Sequence, residues 1–199
     1  LPNCGNMGLP ICLFAYGKLG LGVASAISAV IIISHFTFGI FLASKKISFK
    51  VLLESTPVYA VLIAVGFLYY NIEPPKFIEN TAFLLAYSTI ALILMSLGIA
   101  LTKLKVFSFK NAIISTFARL ILGPLVALGI IYLFDLKGVP AGVLFIQCSM
   151  PSAILTYLVG SMYSSKKVVN NIASTIVMST VVSFLTIPII VFIALRYFF

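Results

Sequence analysis

Leu1-Pro2-Asn3-Cys4-Gly5-Asn6-Met7-Gly8-Leu9-Pro10 and Gln147-Cys148-Ser149-Met150-Pro151-Ser152 are the two stretches on which the fold turns. Each sets a proline inside an apolar run. There the ring removes a backbone donor and crowds the preceding turn, so a helix is broken or kinked. Asn3 follows Pro2 and Ser152 follows Pro151. Both are preferred N-cap types, able to start a second half-helix while offering a polar side chain at the break. A plain proline kink accounts for either site alone, and the matched pair argues for more. Gln147, Cys148 and Ser149 lie just before the second break, placed to satisfy carbonyls or touch a ligand, while Gly5, Gly8 and Pro10 continue the first polar stretch.

The surroundings of these breaks are lipid-like. Of 199 residues, 62% are apolar and 9% charged, and the mean hydropathy is +1.22. Soluble domains are roughly a quarter charged and under half apolar, so this chain has the bilayer as its solvent. The net charge of +9 would suggest nucleic acid in a soluble protein; here the basic residues sit in short loops and orient the chain instead. Runs long enough to cross about 30 Å of hydrocarbon lie near 21–43, 51–70, 82–101, 112–134, 139–163 and 172–195, with an incomplete one over 1–16. Alternate loops sort by charge. Lys45, Lys46 and Lys50, then Lys103, Lys105 and Lys110, then Lys166 and Lys167 mark cytoplasmic loops. The loops at Lys18, at Glu73 to Glu79 and at Asp135 to Lys137 carry little net charge and read as external, which puts the C-terminus, from Arg196, outside.

An offset of 149 residues pairs 1–43 with 150–192 without a gap, matching among others Pro2/Pro151, Lys18/Lys167, Ser34/Ser183 and Thr37/Thr186. By loop charge the two copies run in opposite directions across the membrane. Inverted repeats are the construction of many secondary transporters, because two half-structures related by an axis in the membrane plane open to either side by exchanging conformations. The expected organisation is all-α: 1–43 as the end of a first repeat (the second half of helix 4, then helix 5), 44–50 as a cytoplasmic linker, and 51–199 as a complete second five-helix repeat. On this reading the chain is a fragment cut inside a helix, lacking three helices and part of the fourth of a ten-span protein. Two half-helix starts facing each other at mid-membrane would attract an anion.

At these residues the sequence resembles the auxin efflux carrier family, which includes plant PIN transporters and bacterial permeases for malate, malonate and similar acids. Residues 1–10 with Tyr16-Gly17 are similar to its fourth-helix motif. Arg119-Leu120-Ile121-Leu122-Gly123-Pro124 is similar to its eighth-helix Arg-Leu-x-x-Gly-Pro, and Gln147 to Pro151 to its ninth-helix crossover. The resemblance implies crossed, proline-broken helices with Pro2 and Pro151 at the crossing and a small substrate bound there. The candidate binding residues are Asn3, Gly5, Gln147, Ser149 and Ser152. It further implies an elevator-like movement against a scaffold, a homodimer, and the plasma membrane as location. Ser152 stands where plant members have Gln, and residues 44–50 replace a long hydrophilic loop, which favours a microbial carboxylate permease over auxin transport.

Other polar residues carry two readings each. Arg119 lies about 10 Å into its span, where it either snorkels or binds a structural carbonyl, or else attracts anions from the cytoplasmic side. His35 is either a satisfied interior residue or a proton-coupling group. Gly17-Lys18-Leu19-Gly20-Leu21-Gly22 lacks a preceding strand and GK[ST], so it reads as a turn rather than a nucleotide loop. Ser25, Ser28, Ser34, Ser174, Ser179 and Ser183, spaced with Ala and Gly, read as close helix packing. Cys4, Cys12 and Cys148 show no CxxC spacing and imply neither a disulfide framework nor a metal site. No carboxylate falls at membrane depth: Glu54 is close to a loop, and Glu73, Glu79 and Asp135 are in loops. No catalytic triad, cofactor site or nucleic-acid surface is called for. The rivals to an organic-anion carrier are a sodium-coupled symporter of the bile-acid transporter type and a membrane sensor that binds the ligand without moving it.

Overall fold

The computed structural model describes residues 1–44 and 56–198. The linker lysines Lys45, Lys46 and Lys50, with Glu54, lie outside the described residues. A π-helical turn, Cys4–Gly8, leads into α1, Leu9–Ser34; a second π turn, His35–Gly39, leads into α2, Ile40–Ser44. There follow α3 (Thr56–Tyr69), α4 (Lys76–Lys103), α5 (Phe109–Leu133), α6 (Gly138–Cys148), α7 (Ile154–Tyr163) and α8 (Lys166–Tyr197). Among the described residues there is no strand, only an isolated antiparallel bridge between Pro2 and Ser152. Among the described residues, four stretches are long and apolar enough to cross a bilayer: Cys4–Ser44, Lys76–Lys103, Phe109–Leu133 and Lys166–Tyr197. The chain is an all-α membrane protein, since only helices satisfy every backbone group within one segment in hydrocarbon.

Cys4–Ser44 is not one rod. Gly17 has φ 63° and ψ −151°, a region almost closed to residues with a Cβ, and there the chain doubles back. Residues 4–16 and 18–34 become two arms of a hairpin: Gly8 in one arm and Ala24 in the other both meet Gln147 of α6. The expected turn over Gly17 to Gly22 is thus compressed into a single residue. Gly20 presses on the opposite arm, where a Cβ would overlap the Cys12 carbonyl and Tyr16 Cβ.

The expected span over 139–163 is two half-length rods. α6, of 11 residues, is about 16 Å long, and Ser149 to Ala153 separate it from α7. α6 packs between the hairpin arms, α5 and α8. Its Val143, Ile146 and Gln147 are fully buried, as are Met150 and the α8 residue Ile176. Tyr16, at the hairpin tip, donates its hydroxyl to the Ala194 carbonyl at 2.8 Å and covers Gly142. α4 joins this core at one edge through Leu97, while the rest of α3 and α4 leaves Leu62, Leu68, Leu84, Leu92 and Met95 exposed, a surface compatible only with lipid or another apolar partner.

Backbone strain at the hairpin is open to a direct test. Nothing lies within 4 Å of a Cβ built on Gly17, so Gly17→Ala adds no clash and should lower stability by about 1–3 kcal/mol through φ/ψ alone. Gly22, also open but helical, should gain up to about 1 kcal/mol as Gly22→Ala. Thermal unfolding in detergent compares the two; equal effects would contradict the left-handed turn.

Candidate functional site

The two proline segments cross. Asn3 N–H donates to the Pro151 carbonyl at 2.8 Å, and Ala153 N–H donates to the Leu1 carbonyl at 3.1 Å. The segments run antiparallel around the Pro2 and Ser152 pair, so each satisfies backbone groups that the other's proline break leaves without a helical partner. The first π turn begins directly after Asn3, whose carbonyl accepts from Met7 N–H at 3.2 Å and Gly8 N–H at 3.1 Å. α7 begins after Ala153, whose carbonyl accepts from Thr156 N–H at 3.1 Å.

Capping differs from the sequence expectation. Ala153, extended at φ −73° and ψ 138°, is the N-cap of α7, and Ser152 stands one residue earlier. Its backbone is committed to the crossing, and its N–H donates to Ser179 Oγ at 3.2 Å. Asn3 does occupy an N-cap position but makes no capping bond with its side chain. Its amide is buried, and Nδ2 has no hydrogen-bond partner.

A cavity of about 410 Å³ opens beside the crossing. One wall is Asn3, Cys4, Gly5 and Asn6, the start of one half-helix; another is Ala153, Ile154 and Leu155, the start of the other. First-turn N–H groups have no intrahelical acceptor, so both helix starts present donors and partial positive charge to one space. Asp, Glu, Lys and Arg are absent from the lining. Ser28, Ile31 and His35 of the second hairpin arm close the far side. Sequence reading did not place Ser28 and His35 at the site, although their seven-residue spacing, two helical turns, was the available signal.

The remaining candidates fall elsewhere. Gln147 is fully buried and fastens the hairpin: Nε2 donates to the Ala24 carbonyl at 3.3 Å and Ser28 Oγ at 3.5 Å. Its Oε1 has no hydrogen-bond partner and faces Gly8, where any Cβ would overlap it. Ser149 donates its hydroxyl to the Phe145 carbonyl at 2.6 Å, closing the last turn of α6. Ser152 lines a separate cavity of about 240 Å³ with Ser115, Asn171 and Thr175. Of the five candidate binding residues, Asn3 and Gly5 share the main cavity, Gln147 and Ser149 are packing groups behind it, and Ser152 opens to the other side.

Arg119 reaches across from α5 to the break. Nε donates to the Met150 carbonyl at 3.2 Å and Nη2 to the Cys148 carbonyl at 2.8 Å. The guanidinium therefore serves the negative C-terminal end of α6, the structural role among the readings of this residue. Gly123, one turn on, has no room for a Cβ because the same Cys148 carbonyl lies against it. Arg119→Lys keeps the charge but loses the two-pronged fork, and should cost about 1.5–3 kcal/mol. Thermal melts in detergent check this; a Lys variant as stable as wild type would show that charge alone suffices.

The family described as membrane transport protein matches residues 40–191. An uncharacterized transporter of Methanocaldococcus jannaschii is 28% identical over 197 residues, covering 94% of this chain and 63% of its own length. A second uncharacterized transporter, of Methanothermobacter thermautotrophicus, is 27% identical over 197 residues with the same 94% and 63% shares. The chain thus spans 63% of the length of these relatives. No solved structure matches it. Membrane-length apolar helices, a proline crossing that satisfies backbone at depth, and a match running through most of the described helices agree: the chain belongs to the membrane transport protein family.

Proposed function

We propose that the chain forms the larger part of a secondary carrier of small organic anions, malate, malonate or similar carboxylates, with the ligand carboxylate held at the crossing. The observation that carries this is the convergence of two half-helix starts on one cavity free of charged side chains, with Asn3, whose buried Nδ2 has no partner, in its wall. Such a site draws an anion by oriented dipoles alone. It binds without a fixed counter-charge, which suits a ligand that must also leave.

The carrier works by alternating access of the elevator type, built from inverted five-helix repeats. The offset pairing of 1–43 with 150–192 supports this, as does the meeting of Pro2 and Ser152, one register step from symmetric. The C-terminus faces outward at the plasma membrane, on the side of the Gly17 tip; the Tyr16 to Ala194 bond, joining that tip to the end of α8, supports the common side. The exposed apolar faces of α3 and α4 supply a scaffold surface for a homodimer.

Uptake of labelled malate by the full-length protein in proteoliposomes tests the carrier. Loss of an amide bond to a buried carboxylate is worth about 1.5–3 kcal/mol, so Asn3→Ala should weaken apparent affinity about ten- to a hundredfold. Pro151→Ala should reduce flux by restoring helix continuity. Unchanged uptake in both variants removes the crossing from the mechanism, strict sodium dependence assigns the protein to the sodium symporters, and malate binding without any flux makes it a sensor.

A further inference from the structure

We propose that His35 is the proton-binding residue of the crossing cavity, taking up a proton together with the anion; this rests on the anion-carrier reading above. His35 begins the π turn His35–Gly39, a local irregularity that recurs at functional sites. It is buried at 3% exposure. Its ring stands between two cavities, the one of about 410 Å³ at the crossing and a second of about 500 Å³ lined by Phe38, Leu42, Val159 and Gly160.

The bonds around the ring define where a proton would go. Nδ1 lies 3.2 Å from the Ile31 carbonyl. A carbonyl only accepts, so Nδ1 carries the hydrogen, an assignment made from the partner. Nε2 lies 3.3 Å from Thr156 Oγ1 and in the neutral ring accepts from that hydroxyl. A hydroxyl both donates and accepts. When Nε2 gains a proton it becomes the donor, Thr156 Oγ1 turns to accept, and no heavy atom needs to move. Thr156 belongs to the first turn of α7, so the imidazole touches the half-helix whose start faces the anion.

Charge balance supplies the coupling. The titratable groups that share the crossing cavity with His35 are Cys4 from the first half-helix and Tyr157 from α7. No carboxylate lines either cavity, and the described acids, Glu73, Glu79 and Asp135, are all exposed. An imidazolium here would therefore lack a counter-ion among the described residues and would face two positive helix ends. A bound carboxylate reverses this: it neutralises both. Proton and anion each favour binding of the other, and by linkage the two effects are equal. Moving them together also lowers the net charge carried through a low-dielectric passage.

Malate binding to the purified full-length protein in detergent near neutral pH, about 7, tests this, with calorimetry in two buffers of different ionisation enthalpy counting protons. Binding should take up close to one proton, and affinity should rise by up to about tenfold per unit fall in pH. Nitrogen NMR of histidine-labelled protein should show the His35 signal passing from a neutral ring to imidazolium when malate is added, the signal being the one absent from His35→Gln. His35→Gln retains a donor and an acceptor, so a merely structural tie to Thr156 would survive in it; we expect malate binding without proton uptake. Should that variant fail to fold, His35→Asn supplies both the signal assignment and the proton-uptake control. Malate binding with no proton uptake, or uptake persisting in His35→Gln, overturns the role of His35 and leaves the anion cavity standing. Failure of malate, malonate and acetate all to bind overturns both.

Discussion

A backbone amide in hydrocarbon has no water to fall back on. The structure depends on how that constraint is met where two helices are interrupted. Leu1 to Asn3 and Pro151 to Ala153 lie side by side and exchange the bonds that neither could make alone, Asn3 N–H to Pro151 and Ala153 N–H to Leu1. The exchange makes the two breaks interdependent. Neither segment has another backbone partner for these groups, so the crossing holds the ends of the half-helices in a fixed relation, with their free N–H groups turned to the same cavity.

The surroundings of the crossing are specialised by polarity. On the side where α6 ends, the carbonyls are negative, and Arg119 is placed there with those of Cys148 and Met150 in its fork. On the side where the half-helices begin, the potential is positive and no fixed charge from the protein lines the space. The positive side thus stays free of fixed charge while the negative side is closed by the protein. Gln147 performs a related task without charge, tying α6 to both arms of the hairpin through Gly8, Ala24 and Ser28. Small residues at Gly8, Gly123 and Gly142 are required at these contacts because the neighbouring atoms occupy the positions a Cβ would take.

Prolines show how far pattern alone reaches. Pro124 and Pro188 also lie inside apolar helices, yet α5 and α8 run through them. Pro151 instead separates α6 from α7, and Pro2 stands just before the first π turn. The local chemistry of the ring is the same at all four, and what differs is whether a second segment arrives to take the freed groups. The internal offset of 149 residues singled out Pro2 and Pro151 as a pair, which is why these two breaks were legible. The N-cap was not: Ser152 has the better side chain, but pairing with Pro2 keeps it extended and moves the cap to Ala153. Likewise Gln147 and Ser149 are polar and adjacent to the break, so sequence leaves them to satisfy carbonyls or touch a ligand, and packing turns them onto the carbonyls of Ala24 and Phe145.

Apolar run length, the proline positions and the glycine at 17 are local properties, and they determined by themselves that this is a helical membrane protein with interrupted helices and a tight hairpin. Long-range contacts decided the rest. Whether Arg119 serves a ligand or a carbonyl, whether His35 lies in a core or on a cavity wall, and which polar groups share a space all depend on residues from different segments being brought together, as Arg119 and Cys148 are across 29 positions and His35 and Thr156 across 121. The physical reason is that secondary structure in lipid follows from each segment's own need to satisfy its backbone. The direction and partner of a side chain depend instead on which other segment fills the adjacent volume.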